Sequence, residues 1–278
     1  MIGQKNLIKQ LSTDYSTENY PKLSLIVGAE GSGKRTMAHT ISKTIIEPSE
    51  RAPKIDSVRS LIKLAYTIQS PTTYLICDID KMSEAAQNCL LKVIEEPPNS
   101  SAWVLTATDT DNVLSTVKSR ARLYRMEPYS CDELNEYLDT IDSTLDNEIR
   151  AKLLVICYFP GEIKNFINQC KNSVKDDLNA FYDCVDLVRE NIAKVSGANA
   201  FKIGTKINFK DDTDKYDLKL FWRAFVLSCY NIVKHQQVPK YIEAIFITKN
   251  CLRQLENNAL NKQMIFDEWV LEIRRKWI

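Results

Sequence analysis

"GAEGSGKRT", residues 28–36, decides how the rest of the chain is read. Gly28, Gly33 and Lys34 occupy the fixed positions of the phosphate-loop pattern G-x-x-x-x-G-K-[ST]. Gly31 lies between them, so three of the chain's seven glycines fall within six residues. In such a loop, glycines let successive backbone N–H groups turn inward around phosphate oxygens, and the lysine reaches the terminal phosphates. The flanks agree. "LSLIV" (23–27) is a short apolar run suited to a buried parallel strand, and "KRTMAHTISKTII" (34–46), apolar at 37, 38, 41 and 45, reads as a helix. One letter departs from the pattern. The residue after the lysine should offer a hydroxyl to Mg²⁺, and it is Arg35, a long cation that cannot ligate a metal. Thr36 comes one residue late; a helix turns about 100° per residue, which aims its hydroxyl away.

Downstream, the same alternation continues. "IDSVRSLIKLAY" (55–66) has a helical apolar face and "TYLICD" (73–78) is a buried strand. "SEAAQNCLLKVIEE" (83–96) is a helix opened by Ser83 and stopped by Pro97-Pro98, and "AWVLTAT" (102–108) is a third strand. Strands alternating with helices predict an α/β domain around a mostly parallel sheet. From residue 131 onward helical periodicity takes over: "CDELNEYLDTI", "NEIRAKLLVICYF", "EIKNFINQC" after Gly161, "LNAFYDCVDLVRENIAKV", "LKLFWRAFVLSCYNIVKH", and the run from Tyr241 to Trp277. The polar stretch 208–217 reads as a loop.

An ATPase needs an acidic pair at the end of a neighbouring strand, an Asp for the metal and a Glu for the attacking water. "TYLICDID" offers Asp78 and Asp80. If Asp78 is the metal ligand, the Glu position is Ile79; if Asp78 stands for the Glu, the metal position is Cys77. Neither register is intact.

Composition narrows the classes. With 278 residues, 44% hydrophobic, the chain can bury a sizeable core and suggests two or three domains. The 37 basic and 36 acidic residues nearly cancel, so there is no global signature of a protein that coats nucleic acid or a membrane surface. The N-terminal "MIGQKNLIKQL" lacks an apolar segment and is not expected to be a secretory signal, and no apolar run approaches about 18 residues. Eight cysteines stand singly, without a C-x-x-C pair; no zinc site and a reducing, cytoplasmic setting are expected. Cys77 on its strand reads as core. His39 and His235 have no partner motif and receive no chemistry.

"KMSEAAQNCLLKVIEEPP" (81–98) resembles the most recognisable stretch of the clamp-loader AAA+ subunits, roughly A-x-N-A-L-L-K-x-L-E-E-P-P. Ala86, Asn88, Leu90, Leu91, Lys92, Glu95, Glu96, Pro97 and Pro98 stand as that pattern has them. "STVKSRARLY" (115–124) is similar to the family's Ser-Arg-Cys motif, with Ala121 in place of Cys. "PGEIKNFINQC" (160–170) resembles the second-sensor helix, with Lys164 where active members carry Arg, and residues 251–275 resemble the last helices of the collar domain. The resemblance implies a RecA-like AAA+ parallel-sheet domain over 1–126, a small helical lid over 127–172 and an all-helical collar over 173–278. It places Cys77 at the metal position and Asp78 at the Glu position. Within the family, altered hydrolysis positions beside a kept Ser119-Arg120 pair look like the delta-prime subunits of bacterial DNA polymerase III, although their four-cysteine zinc module is absent here.

That resemblance implies a non-hydrolysing subunit in which Arg120 is a finger acting in trans on a neighbour's ATP. Gly28, Gly31, Gly33, Lys34, Asp78, Thr108 and Lys164 would form a vestigial nucleotide site with no required cofactor and no zinc, binding of ATP with Mg²⁺ there being left open. The implied partners are ATPase and clamp-opening subunits, a sliding clamp and, through the assembly, primed DNA, with no membrane. Competing readings are a solvated basic patch for Arg120, since "KSRARLYR" holds four basic residues, a plain strand-end Thr for Thr108 and a solvated lysine for Lys164. The alternative function is a weakly active AAA+ ATPase of a clamp loader or of a phage or recombination complex.

Overall fold

The computed structural model describes residues 2–16, 20–42, 44–98, 101–192, 207–208, 216–235, 238–256 and 261–277. Two compact units divide the chain: residues 1–137 with 159–162, and residues 138–158 with 163–278.

The first unit is built on β1 (Leu23–Val27), whose five residues are all buried. Strands alternate faces every residue, and β1 uses both. Leu23, Leu25 and Val27 join one core with residues of α3 (Ile55–Thr67), α4 (Glu84–Glu95) and α5 (Ser115–Lys118). Ile26 joins a second core with α1 (Lys5–Tyr15) and α2 (Lys34–Ile41). Helices thus cover both faces, the reason these strands read as continuous apolar runs. Ser24 is tolerated in the interior because its hydroxyl meets Tyr15 Oη at 2.6 Å.

The sheet is parallel, in the order β2-β3-β4-β1-β5, with β2 (Ile45–Ile46), β3 (Thr73–Ile76), β4 (Ala102–Ala107) and β5 (Arg122–Arg125). The strand neighbours of β1 are therefore β4 and β5, and the loops after β1, β3 and β4 leave the same edge, where parallel sheets bind ligands. Tyr74 and Trp103 stack across β3 and β4, centroids 4.8 Å apart.

One local reading is corrected, and two elements appear where none was expected. The helix expected over 34–46 stops at Ile41; Ser42 is extended, and Ile45–Ile46 form the edge strand β2 against Thr73–Tyr74. β-Branched Thr44, Ile45 and Ile46 suit a pleated surface better than a helix, and the ladder supplied by β3 decides the matter. The basic run 118–125 contains β5, in which Tyr124 is buried and its neighbours Leu123 and Arg125 are exposed. The N-terminal segment is a helix that buries Leu7 and Leu11, one turn apart. By contrast α4 forms as expected: Ser83 accepts from the Ala86 N–H at 3.3 Å as its N-cap, and the chain leaves at Pro97.

The second unit is helical: α7 (Asn147–Ile156), α9 (Val174–Asn191), α10 (Leu218–His235), α11 (Pro239–Glu256) and α12 (Lys262–Trp277), joined by the later part of α6 (Cys131–Ile141) and of α8 (Pro160–Gln169). Its core centres on Trp269, whose ring lies 5.0 Å from Phe225, 5.5 Å from Phe266 and 6.1 Å from Phe221. In the stretch read as a loop, residues 207–208 pair in parallel with 216–217, and 209–215 lie outside the described residues. The helix expected over 178–195 ends at Asn191, and 193–195 lie outside them too. No described helix is long and apolar enough to cross a membrane.

Candidate functional site

The loop after β1 has the backbone its glycines permit. Gly31 and Gly33 take φ of 79° and 92°, left-handed values that other residues rarely adopt, and Gly33 caps α2. Gly28 N–H donates to the Ala107 carbonyl at 3.1 Å, tying the loop to the end of β4. A side chain at Gly28 would run into Met126 and Ser32.

Lys34 is 8% exposed, and its ammonium donates to the carbonyls of Gly28 at 2.7 Å and Ala29 at 3.1 Å. The cation thus rests on its own loop. Burial pushes its pKa below the ordinary lysine value, while the fields of Asp78 and Asp80 pull it back up. Loop, lysine and both aspartates therefore share one edge of the sheet.

The position of the missing Mg²⁺ hydroxyl is occupied by an ion pair. Arg35 makes a forked contact with Glu47 just past β2, Nε to Oε2 at 2.9 Å, and His39 Nε2 lies 3.5 Å from the same carboxylate. The Arg35 guanidinium and the Glu47 carboxylate both act on the thiol of Cys77, which burial drives above its ordinary pKa. Among the described residues no group of three or more His, Cys, Asp or Glu could hold a metal. Thr36 is exposed.

Asp78 is buried in a left-handed conformation, φ 55°, that few non-glycine residues adopt. Its N–H donates to Thr106 Oγ1 at 3.1 Å, which binds the strand end to β4. Asp80 is also buried; Oδ2 accepts from the Thr108 N–H at 3.1 Å, and Oδ1 has no hydrogen-bond partner among the described residues. Desolvation raises the Asp80 pKa. Thr108 is thereby held at the end of β4, beside the aspartates, through its backbone.

The loop tip is clasped by residues 159–162 of the same unit. Gly161 N–H donates to the Gly31 carbonyl at 2.9 Å, and Tyr129 Oη donates to the Ser32 carbonyl at 2.8 Å. Lys164 is exposed on α8 and belongs to the second unit. Arg120 lies away from this edge, just beyond α5, with its side chain 41% exposed and its guanidinium 2.8 Å from Glu95. Arg122 pairs instead with Asp14 at 3.4 Å, so the basic run is not one uniform solvated patch.

Sequence reasoning missed Glu47, the clasp at Gly161, and Asp80 as the anchor of Thr108. Each partner is distant along the chain, and no local pattern marks it.

A family model described as DNA polymerase III, delta subunit, matches residues 43–130. The DNA polymerase III gamma subunit of Buchnera aphidicola subsp. Schizaphis graminum is 24% identical, over 90% of this chain and 81% of that protein. The replication factor C small subunit of Methanothermobacter thermautotrophicus is 23% identical, over 68% of this chain and 65% of its own length. A gamma-subunit-related crystal structure from Thermotoga maritima matches with a TM-score of 0.51 at 15% identity, covering 97% of this chain and 99% of that one. The fold is the RecA-like AAA+ fold. The RuvB Holliday junction branch migration motor of Thermotoga maritima shares it, with a TM-score of 0.50, 16% identity and coverage of 85% and 78%. The relatives support an AAA+ chain of the clamp-loader kind. The phosphate loop of this chain keeps its glycine geometry, with Arg35 where the pattern has a hydroxyl residue.

Proposed function

We propose that this chain is a non-hydrolysing subunit of a replicative sliding-clamp loader, of the delta-prime kind, and that Arg120 acts in trans on nucleotide held by a neighbouring ATPase subunit. The observation that carries this reading is the Arg35–Glu47 ion pair beside the Cys77 thiol, where a hydrolysing site would assemble Mg²⁺. A guanidinium tied to Glu47 offers Mg²⁺ no oxygen at the hydroxyl position, and a protonated thiol is a poor ligand for so hard a cation, so the metal that phosphoryl transfer needs is not held. Exposure of Arg120 supports the other half: a finger must be reachable from outside its own subunit. On the resemblance, residues 127–172 serve as lid and 173–278 as collar, and the collar carries the contacts to sister subunits. The compact-unit division falls elsewhere, inside α6 and around 159–162.

The partners in this reading are ATPase and clamp-opening subunits, the clamp, and primed DNA through the assembly; the chain needs no zinc and no nucleotide of its own. The test is copurification of the tagged full-length chain from its native cells, with ATP turnover measured on the isolated chain and on the assembly. ATPase subunits of the same fold should copurify. The isolated chain should turn over negligibly; a rate above about 0.1 s⁻¹, well below usual enzyme values, that disappeared in Lys34→Ala would establish the weakly active ATPase instead.

A further inference from the structure

Glu95 and Glu96 close α4, where the helix macrodipole is negative and a carboxylate is disfavoured unless a cation answers it. Arg120 answers Glu95. Its Nη2 lies 2.8 Å from Glu95 Oε1, while Nη1 donates to the Thr116 carbonyl at 3.0 Å and reaches Ser119 Oγ at 3.4 Å. Both supports are rigid. Leu90, Val93 and Ile94 bury the inner face of α4, and Val117, fully buried, roots α5 in the same core.

We propose that Glu95 is a positioning residue for Arg120, orienting the guanidinium that acts on the neighbour's nucleotide; this rests on the function proposed above. Of the five guanidinium donors, the three contacts use both Nη1 hydrogens and one on Nη2, so Nε–H and the second Nη2 hydrogen remain for an anion. Arg120 would otherwise sample many rotamers; Glu95 and the Thr116 carbonyl remove much of that freedom before a phosphate arrives. The stability that the pair adds is small, because it is half exposed, where ion pairs contribute little.

The experiment uses the assembly that copurifies with the full-length chain, with saturating ATP and primed DNA. Glu95→Ala should lower turnover about two- to fivefold, the size of a lost orienting contact between exposed charges, with the half-saturating ATP concentration unchanged. Glu95→Gln, which keeps an acceptor oxygen, should lose less. Thermal unfolding of both variants should match the parent, a result that a merely structural role would not pair with slower turnover. Added to Arg120→Ala, Glu95→Ala should have no further effect. Unchanged turnover in Glu95→Ala, or the same loss with and without Arg120, overturns the positioning role and leaves the finger standing. Faster turnover makes Glu95 a restraint that holds the arginine back, which also overturns it. If Arg120→Ala alone leaves turnover unchanged, or no ATPase copurifies, the proposed function fails and this inference with it.

Discussion

Replacing Gly161 by alanine places a methyl group where the structure has no room. The new Cβ would lie 2.6 Å from Gly31 Cα, 2.8 Å from Gly31 O and 3.1 Å from Gly31 C. Carbon atoms rest about 3.5–4.0 Å apart, so the two segments must separate by about 1 Å. All three atoms are backbone, so no side chain can swing aside. The same separation stretches the Gly161 N–H bond to the Gly31 carbonyl from 2.9 Å past any useful length. Overpacking costs about 1–3 kcal/mol and the lost hydrogen bond about 0.5–1.5 kcal/mol. Together they give about 1.5–4.5 kcal/mol, capped by the free energy of lifting residues 159–162 off the loop. With two compact units one global unfolding free energy is not defined, so amide hydrogen exchange is the proper measurement. The Glu162 amide, bonded to the Phe159 carbonyl, should exchange at least about tenfold faster in Gly161→Ala, the equivalent of about 1.4 kcal/mol. Asn165→Ala, at an exposed position on α8, should change nothing there beyond about 0.5 kcal/mol. Unchanged exchange at Glu162 in Gly161→Ala would refute the clasp.

Arg120→Ala should leave assembly intact, because an exposed arginine buries little, and should slow ATP turnover of the assembly without stopping it; Arg122→Ala is the charge-matched control, and equal, salt-sensitive losses in both would favour a simple basic patch. Asp80 has a pKa raised above 3.8, so the folded state holds its proton longer than the unfolded chain, and stability falls as pH rises through that window. Asp80→Asn keeps an acceptor for the Thr108 N–H and removes the charge; amide exchange in the β4 core at pH 7 should show equal or greater protection, and a loss of protection above about 1 kcal/mol would contradict the desolvation argument. Thr248→Val should cost about 1–3 kcal/mol in the second unit, since it leaves the buried Trp269 indole N–H, now 2.9 Å from Thr248 Oγ1, without a partner; an unchanged denaturation midpoint monitored by tryptophan fluorescence would refute it.

Short-range signals carry much of this fold in the sequence. The apolar run 23–27, the glycines that follow and the helix they cap lie within a few residues of one another, so sterics and hydrophobic periodicity settle them locally. The same holds for α4, bounded by its Ser83 cap and the prolines at 97 and 98. The departure from the phosphate-loop pattern at Arg35 was legible too, because that residue is adjacent to the lysine that defines its position. Edge strands were not. β2 is two residues long and β5 alternates with only Tyr124 buried; each exists because a neighbouring strand offers it a ladder. What surrounds the phosphate loop was equally hidden. Arg35 meets Glu47 twelve residues on, Thr108 meets Asp80 twenty-eight residues back, and Gly161 meets Gly31 across most of the first unit. Arg120 and Glu95 each stood in a recognisable motif, but their pairing was hidden, because nothing brings the two within reach until α4 and α5 are packed on one core. A sequence determines which groups are present and what the chain does over a turn or a strand; which charge faces which is decided by the sheet order, because only packing brings distant residues within reach of a hydrogen bond.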